Sequence, residues 1–484
     1  MQEYHQFARR IGLIGATNLL ISLSGLILLP ILTKTLPIEE YGTYIQVTVT
    51  IGLVPAVVML GLPYTMVRFL AGARSREEIQ EGYYSIVGIT VVTAGLASLA
   101  LFILAEPIAA ALFDNRVAIT RILAAIVFLE CMNGLQYNYF RTFQQIKRYS
   151  SLTFFKTCLQ LILVCTLVLA GYGILGATIG LLVTDVVLLI IMSILIVSEI
   201  GVAVPKFRHL REYLSFGLPT VPGNLSSWVV NSSDRYVIAL FLGTAYVGYY
   251  SPGYTLGNIV NMFIAPLSFM LPAVLSKHYD DGNLNDVKTI LSYSMKYFLA
   301  LAIPSVVGLS LLSRPLLTIL STPEIAAQGY LITPFTALSG LLFGSYAVIM
   351  QILVLEKKTG ISGTIWIVAA ILNLGLNIIF VPIFGIIGAA VTTLLAYSLA
   401  FLLSTYYSFK YLVFDLNAAF VLKCIVSSAI MGVVVVIGSS QMSGGLVSVI
   451  LLVIISALVY TAGLFILRGF KKEEILFFKG LLRI

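Results

Sequence analysis

Fourteen long apolar runs, separated by short polar breaks, constrain this chain more than any other feature. A helix needs about 20 apolar residues to cross the hydrocarbon of a bilayer. Hydrophobic residues make up 59% of the 484 residues and charged residues only 10%, whereas about 25% are charged in a soluble domain. The sequence therefore predicts an all-α polytopic membrane protein whose first run is a retained span. The predicted spans are residues 11–33, 44–67, 83–105, 117–140, 151–170, 174–197, 213–242, 246–274, 292–313, 331–355, 361–381, 386–408, 417–439 and 445–467.

The distribution of Lys and Arg predicts the orientation in the membrane. Loops with an excess of these residues stay on the cytoplasmic side during insertion. With fourteen spans and both termini in the cytoplasm, all but five of the 29 Lys and Arg residues, Lys156 among them, are counted on the cytoplasmic side. We therefore expect a multi-pass protein of the cell membrane with cytoplasmic termini. The five on the other side are Lys34, Arg116, Arg121, Arg235 and Arg314.

Two short motifs recur in the same order and predict an internal duplication. Val247-Gly248-Tyr249-Tyr250 follows Tyr41-Gly42-Thr43-Tyr44 by 206 residues, and the Gly-Ile-x-Gly-Ala motif at Gly173 recurs 212 residues later at Gly385. Internal repeats set the architecture of many transporters. We expect two pseudo-symmetric six-helix bundles followed by two extra helices. The predicted domains are an N-terminal bundle at 1–200, a cytoplasmic linker at 201–212, a C-terminal bundle at 213–410, and two helices with a cytoplasmic tail at 411–484.

No motif for catalysis is present in the sequence. His5, His209 and His278 lie in loops or at the terminus on the basic side, and the four cysteines lie in apolar runs without metal-ligand spacing. A Walker-type Gly-rich loop is absent. We expect no enzymatic activity, no metal site and no cofactor. The net charge of +8 is spread over membrane loops and indicates no nucleic-acid partner.

Polar residues inside the fourth and sixth spans are candidates for function. Glu130, Asn133, Tyr137 and Arg141 are three or four residues apart, which places them on one face of a helix. A charge at membrane depth costs about 2.5–3.5 kcal/mol and is tolerated mainly toward a bundle interior or a watery cavity. Glu130 could also be protonated and bonded to a neighbouring helix, with Arg141 only marking the interface. Asp185 is the corresponding charge in the middle of span six.

Amide side chains in later spans form a second candidate group. Asn258 and Asn261 follow Tyr250 and Tyr254 in span eight, and Asn373 and Asn377 lie one turn apart in span eleven. Such amides either contact a polar substrate or hold helices together, at roughly 0.6 kcal/mol each.

Span seven combines a proline pair with a charge pair. Asp234 and Arg235 are adjacent, so their side chains point about 100° apart and need not pair with each other. Either one faces a cavity or both snorkel outward as interfacial anchors. Pro219 and Pro222 are expected to bend the helix, as a hinge or as a fixed bend. Arg68, at the end of span two, is either a topogenic charge or a ligand contact.

Taken together, these features resemble the multidrug, oligosaccharidyl-lipid and polysaccharide (MOP) exporter superfamily, and within it the polysaccharide transporters that include Wzx-type O-antigen flippases. The resemblance covers essentially the whole chain. It is carried by the apolar run after Arg9 and Arg10, the break from Leu36 to Gly42, the Asp234-Arg235 pair with Phe241, Gly243 and Val247 to Tyr250, and the two Gly-Ile-x-Gly-Ala motifs.

The resemblance implies alternating access around a central cavity and translocation of a lipid-linked oligosaccharide of the polyprenyl-diphosphate type, for polysaccharide biosynthesis. It implies Arg68, Arg141 and Arg235 as phosphate contacts, because guanidinium groups bind phosphate strongly. Tyr137 and the Asn residues named above become candidate sugar contacts. Glu130, Asp185 and Asp234 become candidates for coupling to H⁺ or Na⁺. The implied partners are the lipid-linked saccharide, membrane lipid, and glycosyltransferases or a polymerase of the same pathway; a monomer is expected.

Three other interpretations are weighed against this one. An ion-coupled multidrug antiporter of the same superfamily often has an acidic residue in span one, and residues 11–33 contain none. Fourteen spans also resemble lipid II flippases, so a lipid II substrate remains open. A polysaccharide polymerase or ligase usually needs a large extracytoplasmic loop, and no predicted outward loop exceeds about twenty residues.

Overall fold

The computed structural model describes residues 24–73, 75–441, 445–470 and residue 474, and within these ranges the chain is helical and contains no strand. Apolar spans become helices because a helix satisfies its backbone hydrogen bonds internally, as lipid requires. The predicted all-α fold is confirmed. The helices are α1 Ser24–Thr35, α2 Ile38–Val58, α3 Leu62–Leu70, α4 Arg76–Ile103, α5 Ala105–Leu112, α6 Val117–Thr142, α7 Ile146–Leu167, α8 Gly173–Ile200, α9 Leu210–Gly217, α10 Val221–Leu242, α11 Thr244–Gly257, α12 Ala265–Asp280, α13 Leu284–Leu311, α14 Ser313–Leu320, α15 Pro323–Gly329, α16 Ile332–Ile349, α17 Gln351–Leu355, α18 Thr359–Ser408, α19 Ala418–Gln441 and α20 Leu446–Ile466.

Ten helical stretches of the described chain are long and apolar enough to cross a membrane. Ile146–Ile200 and Thr359–Ser408 are far longer than one crossing needs, with 55 and 50 residues. The first predicted span, 11–33, lies partly outside the described residues. The multi-pass prediction is confirmed, and the number of fourteen spans stays a prediction.

The two long stretches each contain a glycine in the same unusual backbone conformation. Gly173 has φ 56° and ψ −147°, and Gly385 has φ 64° and ψ −148°. This region is accessible essentially to glycine alone. The two Gly-Ile-x-Gly-Ala motifs therefore occupy equivalent backbone turns, which supports the predicted repeat at these positions.

The short Gly- or Pro-rich connections at residues 171–173, 243–245 and 382–385 predict antiparallel hairpins, and contacts across the first and the last of these turns agree with the prediction. Helices α7 and α8 pack side by side after the first turn. Across the second turn, the hydroxyl of Thr392 donates a hydrogen bond to Asn377 Oδ1 at 2.9 Å. A third predicted turn lies at Gly243, with φ 96°, and it joins α10 to α11.

Replacing Gly385 with alanine is expected to lower the free energy of unfolding by about 1–2 kcal/mol, because the new Cβ strains this backbone conformation. A Cβ at Gly385 meets no other atom within 4 Å, so the effect isolates backbone strain. The apparent melting temperature of the purified protein measures it. Gly95→Ala, in the interior of α4 and equally open, is the control; an equal shift for both variants contradicts the backbone explanation.

The predicted span 213–242 is interrupted at the proline pair, where the sequence predicts a bend: α9 and α10 are separated by a 3₁₀ turn at Leu218–Thr220. Pro219 lies in this turn and Pro222 in the first turn of α10. Proline lacks the backbone N–H that would continue the α-helical pattern. The prolines thus break the helix, and their role as a moving hinge stays a prediction.

The predicted span 246–274 is also interrupted. A 3₁₀ segment, Asn258–Phe263, separates α11 from α12. The amide of Asn261 donates to Asn258 Oδ1 at 2.5 Å. Asn side chains offer local hydrogen bonds that compete with the α-helical backbone, which accounts for a break at this position.

The first compact unit consists of the described residues up to Ser251 together with Trp366–Thr392. Its helices α6 and α8 pack against each other, and α4 and α7 cover them. The core contains fully buried Leu135, Tyr139 and Met192. Burial of this apolar surface holds the polar side chains of α6, α7 and α8 in place.

The second compact unit consists of Pro252–Ile365 and the described residues from Thr393 onward. Helix α13 packs against α12, α16 and α19, and Phe298 and Leu291 are buried in its core. These contact units are cut at other positions than the predicted bundles. The domains 1–200, 201–212, 213–410 and 411–484 stay a prediction.

Helices α2 and α11 approach closely at the first repeated motif. A Cβ on Gly42 would lie 1.9 Å from the carbonyl oxygen of Thr244, and a Cβ on Gly248 would lie 2.7 Å from the carbonyl oxygen of Ile38. Both distances are far below normal contact. Only glycine allows the two helices to come this close.

Candidate functional site

Three charged side chains from three helices meet inside the first unit. The Lys156 ammonium, on α7, lies 2.7 and 3.0 Å from the two carboxylate oxygens of Glu130 on α6. It also lies 3.3 Å from Asp185 Oδ1 on α8. The side-chain exposures are 23% for Lys156, 26% for Glu130 and 6% for Asp185. We call these three residues the charged cluster.

Asn133 extends the charged cluster on the α6 side. Its side-chain amide donates to the backbone carbonyl of Asp185 at 3.0 Å and to Asp185 Oδ1 at 3.3 Å. Asn133 is fully buried, and its own carbonyl oxygen has no hydrogen-bond partner among the described residues. A buried acceptor without a donor is costly. One buried acceptor beside the cluster is therefore left without a donor from the described residues.

The observed position of Lys156 differs from the prediction that it lies with the cytoplasmic charges. The structure places it inside the helix Ile146–Leu167, where it neutralises carboxylates on neighbouring helices. The positive-inside rule weighs residues by loop and does not detect a cation paired within the protein. The sequence did contain a signal for this pairing, because three consecutive predicted spans carry Glu130, Lys156 and Asp185.

The Asp234-Arg235 pair forms a second charged site in the first unit. Asp234 Oδ1 accepts hydrogen bonds from the Arg235 guanidinium and from the Arg235 backbone N–H, both at 2.9 Å. Tyr250 donates to the other carboxylate oxygen at 2.5 Å. The Arg235 guanidinium also donates to the carbonyl of Asn231 at 2.6 Å. The side chains are 1% and 9% exposed, so this ion pair is buried.

Asp234 and Arg235 pair with each other, although adjacent side chains leave a helix about 100° apart and the sequence left their pairing open. The long Arg235 side chain folds back to the adjacent carboxylate, because an unpaired Asp234 would be a buried charge without compensation. The guanidinium also lies over the Tyr250 ring, 5.4 Å from its centroid. The assignments of Arg235 to phosphate and Asp234 to ion coupling stay predictions.

The other two arginines predicted to contact phosphate are exposed. Arg68 lies in the last turn of α3, a helix separate from the α2 that forms most of the predicted span two. Arg141 lies in the last turn of α6. Each is placed at a helix C-terminus, where the helix dipole favours a cation. The structure does not bring them together with Arg235 by any contact among the described residues.

The predicted amide contacts lie in two different places. Asn373 and Asn377 in α18 are fully buried: Ser233 donates to Asn373, Asn377 donates to Asn373, and Thr392 donates to Asn377. Asn258 and Asn261 lie in the 3₁₀ segment of the second unit, where Asn258 is exposed. The buried pair links helices within the first unit, and the exposed residue is the more accessible to a ligand.

Tyr137 lies on the same helix as Glu130 and Asn133, and its hydroxyl oxygen has no hydrogen-bond partner in the described ranges. Its ring packs edge-on against Tyr149 of α7 at 5.7 Å between centroids. A buried hydroxyl with unused capacity on this polar face is compatible with the predicted sugar contact, which stays a prediction.

Lys296 is a second cation that sequence reasoning assigned to the cytoplasmic side. It lies inside α13 of the second unit and contacts both carboxylate oxygens of Glu474 at 2.8 Å. The rings of Phe420 and Phe470 lie 4.8 and 5.5 Å from the ammonium. A cavity of about 360 Å³ opens beside it, between α13 and residues 413–417. Lys296 and Glu474 are 178 residues apart in the sequence, so no residue spacing indicates that they form an ion pair.

No group of three or more His, Cys, Asp or Glu side chains in the described parts of the chain is arranged to hold a metal ion. The polar groups described above are ion pairs and side-chain amides. These groups can bind a cation, a proton or the polar head of a ligand.

Residues 31–324, more than half of the chain, match the protein family described as polysaccharide biosynthesis protein. The chain belongs to this polysaccharide biosynthesis family. The match begins in α1 and ends in α15, so it includes the charged cluster and the Asp234-Arg235 pair. The resemblance seen in the sequence is confirmed at the level of the family.

Two curated relatives from Haloferax volcanii are named as flippases. The chain is 23% identical over 282 residues to "Probable low-salt glycan biosynthesis flippase Agl15", covering 58% of this chain and 59% of that protein. It is 29% identical over 183 residues to "Probable flippase AglR", covering 37% of each. The matches thus span less than two thirds of these relatives' lengths.

The fold of this family member is similar to solved transporter structures. A structure of "Lipid II flippase MurJ, inward closed conformation" aligns with a TM-score of 0.79 and 19% identity, over 96% of this chain and 99% of that one. An inward-facing multidrug resistance MATE family transporter of the MOP superfamily aligns with a TM-score of 0.69 and 15% identity, over 81% and 94% of the chains. The chain therefore shares the fold of these transporters.

Proposed function

We propose that this protein is a flippase that moves a lipid-linked oligosaccharide of the polyprenyl-diphosphate type across the cell membrane by alternating access, for polysaccharide biosynthesis. Both termini then lie in the cytoplasm. The family match over residues 31–324 carries this proposal, and the flippase names of the matched relatives agree with it. In this proposal, the lipid tail of the substrate stays in the bilayer while its charged head binds to the protein.

In this proposal, the exposed arginines bind the diphosphate. Arg68 and Arg141 are both exposed, so a ligand can reach them without breaking an existing ion pair described in the structure. Guanidinium groups bind phosphate through two parallel hydrogen bonds. Tyr137, Asn133, Asn258, Asn261, Asn373 and Asn377 remain the proposed sugar contacts, with Asn258 the most accessible.

Coupling to an ion gradient is assigned to the carboxylates. Glu130 and Asp185 meet at the charged cluster, where two carboxylates face a single ammonium. Such an uneven charge set can exchange a small cation. Asp234, which is fully paired by Arg235 and Tyr250, is the weaker candidate. No enzymatic step and no cofactor are needed for this cycle.

Reconstitution tests the proposed function directly. The purified protein is placed in vesicles with a fluorescent lipid-linked oligosaccharide, and the fraction reaching the protected leaflet is followed with a membrane-impermeant quencher. We expect protein-dependent flipping of the diphosphate-linked glycan. Absence of flipping, together with uphill export of small amphipathic drugs, would favour the multidrug antiporter of the same superfamily.

Replacing Arg68 and Arg141 together with alanine is expected to slow flipping about tenfold, because charge-assisted contacts to the diphosphate are lost. The half-saturating concentration of the labelled lipid should rise while the melting temperature stays unchanged. Arg211→Ala, an exposed arginine on α9, serves as the matched control. If the control slows flipping equally, general surface charge explains the effect.

A further inference from the structure

Lys156 occupies the position between two carboxylates that a bound monovalent cation would otherwise take. Its nitrogen lies within 3.3 Å of three carboxylate oxygens, two from Glu130 and one from Asp185. These oxygens come from two different helices, and the ammonium on a third helix bridges them. A second cation at the same position would face direct repulsion from this ammonium.

The charges of the cluster do not balance. Two ionised carboxylates and one ammonium leave one net negative charge, in a place where the Asp185 side chain is only 6% exposed. Burial disfavours such an excess charge. Adding a single proton to one carboxylate neutralises the cluster without displacing Lys156.

The unpaired oxygen of Asn133 provides an acceptor beside Asp185. Asn133 is fully buried, its amide nitrogen already contacts Asp185 Oδ1 at 3.3 Å, and its carbonyl oxygen lacks a donor in the described chain. A protonated carboxyl can donate a hydrogen bond to such an acceptor. An amide oxygen can also ligate sodium, so the exclusion of sodium rests on the Lys156 ammonium.

The other charged side chains on the helices packed around the cluster lie within about two turns of a helix end, away from the mid-helix positions of Glu130, Lys156 and Asp185. They are Glu39 and Glu40 on α2, Arg76, Glu77, Glu78 and Glu81 on α4, Arg121 and Arg141 on α6, Lys147 and Arg148 on α7, and Glu199 on α8. The tyrosines and cysteines of these helices are Tyr41 and Tyr44 on α2, Tyr83 and Tyr84 on α4, Cys131, Tyr137 and Tyr139 on α6, and Tyr149, Cys158 and Cys165 on α7.

We propose that the coupling ion at the charged cluster is a proton, and that Lys156 acts as a tethered cation that excludes sodium. This inference rests on the proposed ion-coupled flippase. A proton from water forms an O–H bond with a carboxylate oxygen of Asp185 or Glu130, and the reverse step returns the proton to water. Lys156 stays an ammonium throughout and remains paired with the other carboxylate.

The test compares sodium responses of the full-length wild type and Lys156→Ala. In vesicles, a pH gradient at fixed membrane potential should change the wild-type flipping rate at least threefold, and replacing sodium with choline should leave it unchanged. Lys156→Ala should gain sodium dependence, with at least a fivefold faster rate in sodium than in choline. Lys156→Arg, which keeps the charge, should remain sodium-independent. Lys147→Ala, an exposed lysine on the same helix, is the control.

A binding measurement keeps the inference testable without transport. Sodium chloride should raise the melting temperature of purified Lys156→Ala by several degrees over choline chloride, and should not do so for the wild type. Equal sodium stabilisation of both proteins, or none in the variant, overturns the tethered-cation assignment. Wild-type flipping that ignores both gradients overturns the coupling, and absence of any flipping overturns the proposed function while the melting data still decide the sodium question.

Discussion

Arg235→Met is expected to lower the free energy of unfolding by about 3–5 kcal/mol, since it leaves the buried Asp234 carboxylate without its cation. Asp234 is 1% exposed, so water cannot replace the lost guanidinium. The hydrogen bond from Tyr250 remains, but a hydroxyl does not neutralise a charge. The apparent melting temperature in detergent or lipid nanodiscs measures the loss.

A double variant separates the net contribution of the ion pair to the free energy of unfolding from the loss caused by leaving one charge unpaired. Asp234→Leu with Arg235→Met should recover most of the stability, because an apolar pair of similar volume replaces two buried charges. Arg121→Met is the matched control, because the Arg121–Glu106 contact is long, at 3.9 Å, and exposed. Surface pairs of this kind contribute about 0–1 kcal/mol. Near-equal losses for Arg121→Met and Arg235→Met would contradict the buried-charge argument.

Gly42→Ala is expected to cost about 3 kcal/mol or more, at the upper end of overpacking penalties. The new Cβ would lie 1.9 Å from the Thr244 carbonyl oxygen and 2.7 Å from its carbon. Both atoms belong to the backbone, so no side-chain rotation relieves the clash. Helices α2 and α11 must separate, and the protein yield and melting temperature should both fall.

Gly52→Ala provides the control on the same helix. Its Cβ would lie 3.4 Å from the Trp228 side chain, which is an ordinary contact. We expect a neutral or slightly stabilising change, because alanine favours a helix over glycine. A loss at Gly52 as large as at Gly42 would show that α2 tolerates no added methyl group anywhere.

The sequence predicted the helical spans and the reversals at the glycine motifs, but not every break within a span. Gly173 and Gly385 end short Gly- or Pro-rich connections between apolar runs, and such connections predict that the chain reverses. The helical character of the spans followed from their length and apolarity alone. The proline pair of span seven predicted a bend where the 3₁₀ turn Leu218–Thr220 lies. The 3₁₀ segment Asn258–Phe263 lies inside a span whose apolarity does not reveal it.

The sequence identified Glu130 and Asp185 as charged residues inside spans, but it did not identify their partner. Glu130 and Asp185 were singled out because isolated carboxylates in lipid need a partner. Their partner, Lys156, is separated from them by 26 and 29 residues, so no helical spacing connects the three. The bond between Asp234 and Arg235 was likewise missed, because backbone direction does not fix where a long arginine side chain ends.

The contacts at Gly42 and Gly248 are the same contact made twice. Ile38 and Thr244 are separated by the same 206 residues as the two glycines, so each copy of the motif presses its glycine onto the equivalent residue of the other. This reciprocity is the mark of an isologous interface, the kind that joins identical subunits about a twofold axis. A half-length chain with one copy of the motif could make this contact by pairing with itself, and fusion of two such chains would preserve it inside a single polypeptide.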